Sequence, residues 1–338
     1  MKLTVYRREY PLVFPFRLSY NTYYSRTGIL VKIQEGDFSG YGELSLVPYY
    51  HKDEAKLYGD LDFISSFLEE IKEDWTPEKL YKEIREEISP DPAVMSSVDC
   101  ALYDLYGKKT GMPIWEMVTS RPNPSVESSL TITSEDWQEK LDWNWPVLKL
   151  KMGFAGDMEL LKEVRENYDG PLRVDVNAGW TVEQLIQNID GLVEAEVEMI
   201  EQPLKPGEDD QLKKIDIPLN IFADESVQGI DSFDEMSEFY DGINIKLQKC
   251  GGITPALQMI RKAQALNLKL MAGCMTESSI GIGAIAHLAS FFDFLDLDGE
   301  YLIENDFGNK KFVEKGEIVL STAPGIGCEF NLHENLVD

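Results

Sequence analysis

VLKLK (147–151), LRVDV (172–176), EMIEQ (198–202), NIFAD (220–224), INIKL (243–247) and FLDLD (294–298) carry one pattern six times. Each segment is short and apolar, with a charged residue near its C-terminal end. Successive side chains of a strand point to opposite faces. Leu148 and Leu150 therefore share one face, and Lys149 and Lys151 the other. Ile243, Ile245 and Leu247 oppose Asn244 and Lys246, and Leu295 and Leu297 oppose Asp296 and Asp298. Closing these strands into a barrel would make the charged faces converge. Spacing agrees: Lys149, Asp175, Glu201, Asp224 and Lys246 follow one another at 26, 26, 23 and 22 positions. Each interval has room for one helix, the repeat of a (β/α) barrel.

Working outward, SVESSLTI (125–132) reads as the first barrel strand and SEDWQEKLDW (134–143) as the first helix, capped by Ser134. Glu135 and Asp136 suit that helix's positive end. LKLMAG (268–273) supplies the seventh strand, before a helical run through Phe292. Eight strands with seven helices between them result, and no eighth helix is visible after Asp298. EYLIE, KKFVE and EIVLS read instead as short strands returning to the N-terminal unit. That unit has strands at 2–8 and 29–34, a turn at EGDF (35–38), and a third strand ending near Leu44. Helical patterns follow at 53–73, 77–88 and 93–109, the second with Thr76 as N-cap and Pro77 in its first turn. The expected fold is a (β/α)₇β barrel at 120–300, an α+β cap at 1–119, and a tail at 301–338 that completes the cap. Two aromatic-rich loops, LSYNTYYSRTG (18–28) and SLVPYYHKD (45–53), stand where a cap could cover the barrel mouth. Such loops often pack only locally, yet loops on a rigid scaffold also carry binding residues. Tyr24 and Tyr49 are the candidates here.

The chain has 338 residues, 43% of them apolar, enough for real cores. Asp and Glu number 60 against 32 Lys and Arg, a formal charge of −28 that repels nucleic acid and anionic membrane. Four scattered cysteines form no CxxC pair, so neither a zinc site nor a disulfide framework is expected. Three histidines are too few for a histidine-based centre. MKLTVYRREY lacks a signal-peptide apolar region, and Ile280–Phe294 is short and interrupted by His287, Ser290 and Asp293. A cytoplasmic protein, assembled as a homo-oligomer, is expected.

Asp175, Glu201 and Asp224 end three consecutive strands. One such carboxylate could cap a helix or pair with a lysine. Three converging in a barrel mouth repel one another unless a cation lies among them, and their oxygen ligands suit magnesium (Mg²⁺). Lys149 and Lys151 on one strand and Lys246 on another lie on opposite sides of this triad. A buried lysine is costly unless paired. Beside a metal and a second cation its pKa would fall, making it usable as a base.

KLK, VDVNAGW, IEQP, ADES and NIKLQKCGGI occur in this order and spacing. The chain thereby resembles the muconate-lactonising subgroup of the enolase superfamily along essentially its whole length. LDLDG (295–299) looks like the Asp-x-Asp signature of the subgroup's dipeptide epimerases, of which Ala-Glu epimerase is the best-known type. The resemblance implies that Asp175, Glu201 and Asp224 hold Mg²⁺, and that Lys149 stabilises an enediolate. It implies that Lys151 and Lys246 act as base and conjugate acid in 1,1-proton transfer, while Asp296 and Asp298 bind the dipeptide's ammonium. In Ala-Glu epimerases an arginine of the first loop meets the glutamate side chain. Asn21 stands there, and Arg26 lies five residues on, so a hydrophobic or other dipeptide is open. Arg26 otherwise reads as an exposed surface cation. o-Succinylbenzoate synthase and N-succinylamino acid racemase share the lysines and metal but need no ammonium subsite. A non-catalytic Mg-carboxylate-binding protein needs no opposed lysines.

Overall fold

A computed structural model of the chain describes residues 1–18, 21–72, 74–119, 126–227, 229–306 and 308–330, without the side chains of 16–18 and 21. Three antiparallel strands, β1 (Lys2–Leu18), β2 (Asn21–Glu35) and β3 (Phe38–Leu46), open the chain in the order β1-β2-β3. Gly36 and Asp37 form the tight turn of EGDF, with Glu35 opposite Phe38. β1 and β2 are far longer than 2–8 and 29–34. The stretch 18–28, expected as a loop, is mostly strand, with Thr22 paired to Arg17 and Arg26 to Tyr10. Its alternation is obscured because the register shifts between Pro11 and Phe16.

Three helices follow: α1 (Glu54–Glu70), α2 (Pro77–Glu87) and α3 (Pro92–Thr110). Thr76 caps α2 by accepting from the Lys79 N–H, as its sequence indicates. α3 is buried on nearly every side. It lies directly on β3 because β3 offers glycines: a Cβ at Gly40 would sit 2.0 Å from the Ala101 carbonyl oxygen, and one at Gly42 1.8 Å from that of Ser97. Leu57, Leu61, Leu80, Val94 and Val98 fill the space between helices and sheet.

Eight parallel strands form the second sheet: β4 (Leu130–Ile132), β5 (Leu148–Lys151), β6 (Leu172–Asp175), β7 (Val197–Glu201), β8 (Asn220–Ala223), β9 (Gly242–Ile245), β10 (Lys269–Gly273) and β11 (Phe294–Asp296). They pair in sequence order. The ring closes where Ser128 bridges Leu295 and the Ser129 N–H donates to the Leu295 carbonyl at 2.9 Å. This is the mixed α/β barrel with an antiparallel cap that the strand pattern indicates. The first strand is shorter than SVESSLTI, and residues 120–125 lie outside the described residues.

The intervals are less regular than one full helix each. Ser134 does not cap the first helix (Trp137–Leu141); Asp136 precedes it and accepts instead from the Thr133 N–H. Between β7 and β8 stands only a 3₁₀ turn, Asp209–Lys214, in a stretch broken by Pro203, Pro206, Gly207 and Pro218. After β11, EYLIE forms a 3₁₀ turn (Gly299–Tyr301), and KKFVE and EIVLS contribute a two-residue-per-strand hairpin, Val313–Glu314 with Glu317–Ile318. The tail does return to the cap: Leu12 bridges Ile303, and Pro113 bridges Gly325. Among the described residues, no helix is long and apolar enough to cross a membrane.

Candidate active site

Inward positions along a barrel strand come two apart. Met199, Phe222, Met271 and Phe294 form one apolar cluster, the floor of the barrel. The rings of Phe222 and Phe294 meet at 5.0 Å although their strands stand three places apart, so they meet across the interior. Two residues further along the same four strands come Glu201, Asp224, Gly273 and Asp296. The polar layer therefore sits directly on the apolar floor. Strand register aligns it: Lys151 is the Cα partner of Asp175, and Asp175 of Glu201.

Above this layer opens a cavity of about 810 Å³. Lys149, Lys151, Asp224, Lys246, Asp296 and Asp298 all line it. β5 and β9 lie four places apart in a ring of eight, so Lys151 and Lys246 approach from opposite sides. The cap roofs the cavity. Tyr49 and Tyr50 come from a 3₁₀ turn (Pro48–Tyr50) on the Asp224 side, and Arg26 comes from β2.

Asp175, Glu201, Asp224 and Asp296 are each turned to a lysine. The Lys149 ammonium lies 2.5 Å from Asp296 Oδ2, 2.7 Å from Glu201 Oε2 and 3.1 Å from Asp175 Oδ2. Lys151 reaches Asp175 Oδ2 at 2.6 Å, Lys246 reaches Asp224 Oδ2 at 2.8 Å, and Lys249 reaches Asp224 Oδ1 at 2.6 Å. Accordingly, among the described residues no three His, Cys, Asp or Glu side chains stand as a ready metal cluster. The three carboxylates nevertheless share one field. Burial would raise Asp175, but Lys151, Lys149 and Lys246 bring it down to about 2 against the opposing charge of Asp224. Burial would likewise raise Asp224, and Lys246 and Lys249 hold it well below the usual range. Glu201 is pushed up, by burial and then by Asp175.

Lys149 and Lys246 are held as cations by their carboxylate partners. Burial would lower Lys149 and Lys246, but Asp296, Glu201 and Asp175 hold the first far above the ordinary value, and Asp224 and Glu201 the second. Paired with carboxylates they are ammonium groups. Only a cation that draws off the carboxylate charge would free one as an amine.

Asp296 also accepts from the Ser129 hydroxyl at 2.7 Å, and Asp298 accepts from the Thr131 N–H at 2.6 Å. Burial would raise Asp296, but Lys149 and Lys151 lower it. Asp298 is raised by burial and by Asp296. Of the loop candidates, Tyr49 lines the cavity. Tyr24 does not: it is 71% exposed. Arg26, which reads as a surface cation, is only 4% exposed, lines the cavity and stacks over Tyr23. The Asn21 side chain lies outside the described part. Sequence reading missed Lys249, whose signal was its place three residues after Lys246. It also missed Glu225, beside Asp224, which burial and then Asp224 push up to about 7. Thr131 and Tyr50 complete the set.

Residues 1–118 match the mandelate racemase / muconate lactonizing enzyme N-terminal domain, and residues 134–335 match the enolase C-terminal domain-like family. The chain belongs to the enolase superfamily. One superfamily relative, the L-Ala-D/L-amino acid epimerase of Flavobacterium johnsoniae, is 33% identical over 97% of this chain and 99% of its own. The dipeptide epimerase of Enterococcus faecalis, solved with Mg and L-Leu-L-Tyr, superposes with a TM-score of 0.88 at 26% identity, covering 97% of this chain and 98% of that one. The dipeptide epimerase of Methylococcus capsulatus, solved with Mg and L-Arg-D-Lys, gives 0.89 at 28%, covering 97% and 99%.

Proposed function

We propose that this superfamily member is a magnesium-dependent dipeptide epimerase that inverts the α-carbon of the C-terminal residue. The observation that carries the reading is the approach of Lys151 and Lys246 to one cavity from opposite sides, with Asp296 and Asp298 on its wall. Inversion needs a proton removed on one face and returned on the other. Two opposed lysines supply that, whereas binding alone needs neither.

Asp175, Glu201 and Asp224 fit Mg²⁺ by ligand chemistry: they are buried, oxygen-only and stand at the C-terminal ends of three consecutive strands. Glu201 Oε2 and Asp175 Oδ2 already share one cation, the Lys149 ammonium, at 2.7 and 3.1 Å. Bound there, Mg²⁺ would neutralise the substrate carboxylate and stabilise the enediolate charge. Lys149 would add its fixed positive charge to the same carboxylate. One of Lys151 and Lys246, as amine, takes the α-proton, and the other, as ammonium, delivers one to the opposite face. Asp296 and Asp298 would hold the dipeptide's ammonium. Asp298 is raised by burial and then by its neighbour's charge, and a substrate cation would relieve that repulsion. Arg26, Tyr49 and Phe154 on the roof and wall would meet the side chains. The four unpaired cysteines fit a reducing, cytoplasmic setting.

Solvent-deuterium exchange on a mixed dipeptide library tests the reading and identifies the substrate together. A free dipeptide should exchange and epimerise, and its N-acetyl form should not. Asp298→Asn should lower kcat/KM by ~10- to 150-fold, the loss of one charge-assisted bond. Equal turnover of N-acylated compounds would instead assign the cavity to an N-acylamino acid racemase.

A further inference from the structure

β10 is the exception in the polar layer. At the level where β7, β8 and β11 carry Glu201, Asp224 and Asp296, it carries Gly273. The space is taken by Asn244 from the layer beneath on β9, where it pairs with Met271. A Cβ on Gly273 would stand 2.5 Å from Asn244 Oδ1 and 2.6 Å from its Nδ2. Leaning over Gly273, Asn244 donates from Nδ2 to Glu201 Oε1 at 2.7 Å. An ionised carboxylate only accepts, so this contact fixes which way the amide faces.

That orientation leaves a buried oxygen unsatisfied: Asn244 is fully buried and its Oδ1 finds no hydrogen-bond partner. Its register partner Met271, in the apolar layer beneath the site, shows that apolar side chains are accommodated at this level. An aliphatic residue would fill the same volume without an orphaned oxygen. What the asparagine gains by its polarity is the hold on Glu201. With Oε1 engaged, Oε2 is the oxygen turned to the centre of the site, 2.7 Å from the Lys149 ammonium.

We infer that Asn244 is a positioning residue that orients Glu201 as a ligand, and that Gly273 is glycine to let Asn244 reach it. The inference rests on the metal reading given under Proposed function. Partners behind metal ligands typically contribute ~10- to 100-fold in affinity.

The test is Mg²⁺ affinity by calorimetry on wild type, Asn244→Ala and Gly273→Ala, with melting temperatures in chelator to report folding separately. Both variants should bind Mg²⁺ ~10- to 100-fold more weakly. Activity of each should be restored toward wild type by raised Mg²⁺, because neither residue contacts the reacting atoms. Gly273→Ala keeps the asparagine and serves if Asn244→Ala does not fold. Wild-type affinity in both variants would overturn the inference while leaving the metal reading intact. Absence of Mg²⁺ binding by the wild-type protein would overturn both.

Discussion

Two groups of buried carboxylates can be set side by side. In the barrel mouth, Asp175, Asp224 and Asp296 face lysine ammonium groups, and all three are held below their ordinary pKa. Along the seam between cap and barrel, Glu43 and Asp99 face backbone N–H groups and hydroxyls, and both are pushed up. Glu43 accepts from the Ser278 and Gly281 N–H groups and from the Tyr10 hydroxyl at 2.7 Å. Asp99, on α3, accepts from the Thr254 N–H at 2.7 Å and hydroxyl at 2.9 Å. Backbone donors at a helix start are fixed in place, so the seam carboxylates tie the cap to the barrel. Lysine partners sit on flexible stems and can be exchanged for another cation or move a proton. The same residue type serves as mortar in one place and, on the proposed function, as machinery in the other, and the partner decides which.

The largest effect separates the regions most sharply. Lys151→Ala and Lys246→Ala should each abolish epimerisation, with losses at or beyond the ~10²- to 10⁴-fold of a general acid–base group. Each variant keeps one base, so each should still exchange the α-proton of one stereoisomer, and the two should prefer opposite isomers by deuterium NMR. If both exchange the same isomer, the opposed arrangement is wrong. Seam variants should show no such stereochemical split.

A middle-sized effect belongs to the seam. The helix Ile253–Ala265 starts at Gly252, which has no side-chain cap, and Asp99 supplies one from another part of the fold. Asp99→Ala should cost ~1–3 kcal/mol of stability, since it strands a buried donor. Urea unfolding measures this, and kcat of the folded fraction should stay within a few-fold. A collapse of kcat without loss of stability would mean that the seam is part of the machinery after all.

Most of the mouth was legible because a strand's alternation and a charged C-terminal end are local signals, and six copies fix their relative phase. Lys149, Lys151, Asp175, Glu201, Asp224, Lys246, Asp296 and Asp298 could each be placed on an inward face before any packing was known. Arg26 could not. Its burial follows from β2 being the central cap strand, beside Tyr10 on β1, and the register shift at Pro11/Phe16 breaks the parity a reader would use. For the same reason Tyr24, two residues away, ends in solvent. The seam was equally hidden. Glu43 and Ser278 are 235 residues apart, and nothing in GYGELS marks its acid as the partner of a distant helix start.

The smallest effect is one of sign, and it turns the comparison into a titration. Glu43 is raised to about 7, by burial first and then by the charge of Glu277, with Asp306 adding to it and Ser278 and Tyr10 opposing it. An acid raised on folding keeps its proton in the native state after the unfolded chain has lost it. Its favourable contribution is complete below the unfolded value of 4.5 and is lost as pH rises through about 7. The mouth runs the other way: Asp175, brought down to about 2, contributes above its unfolded 3.8 and loses that contribution only as pH falls through 2. Between pH 4.5 and 7 the seam's slope is therefore unmasked by Asp175. Glu43→Gln keeps an oxygen to accept from Ser278 and an amide to face Tyr10, but cannot titrate. Unfolding free energy of the wild type should fall by up to roughly 3 kcal/mol more than that of the variant across this window, given ~1.4 kcal/mol per pKa unit. The difference between the two curves isolates Glu43 from Asp99, which is raised to about 8 and contributes to both. Parallel curves would mean that Glu43 is ionised in the folded protein, held by its N–H donors as firmly as the mouth carboxylates are held by their lysines, and the contrast between the two regions would then rest on geometry alone.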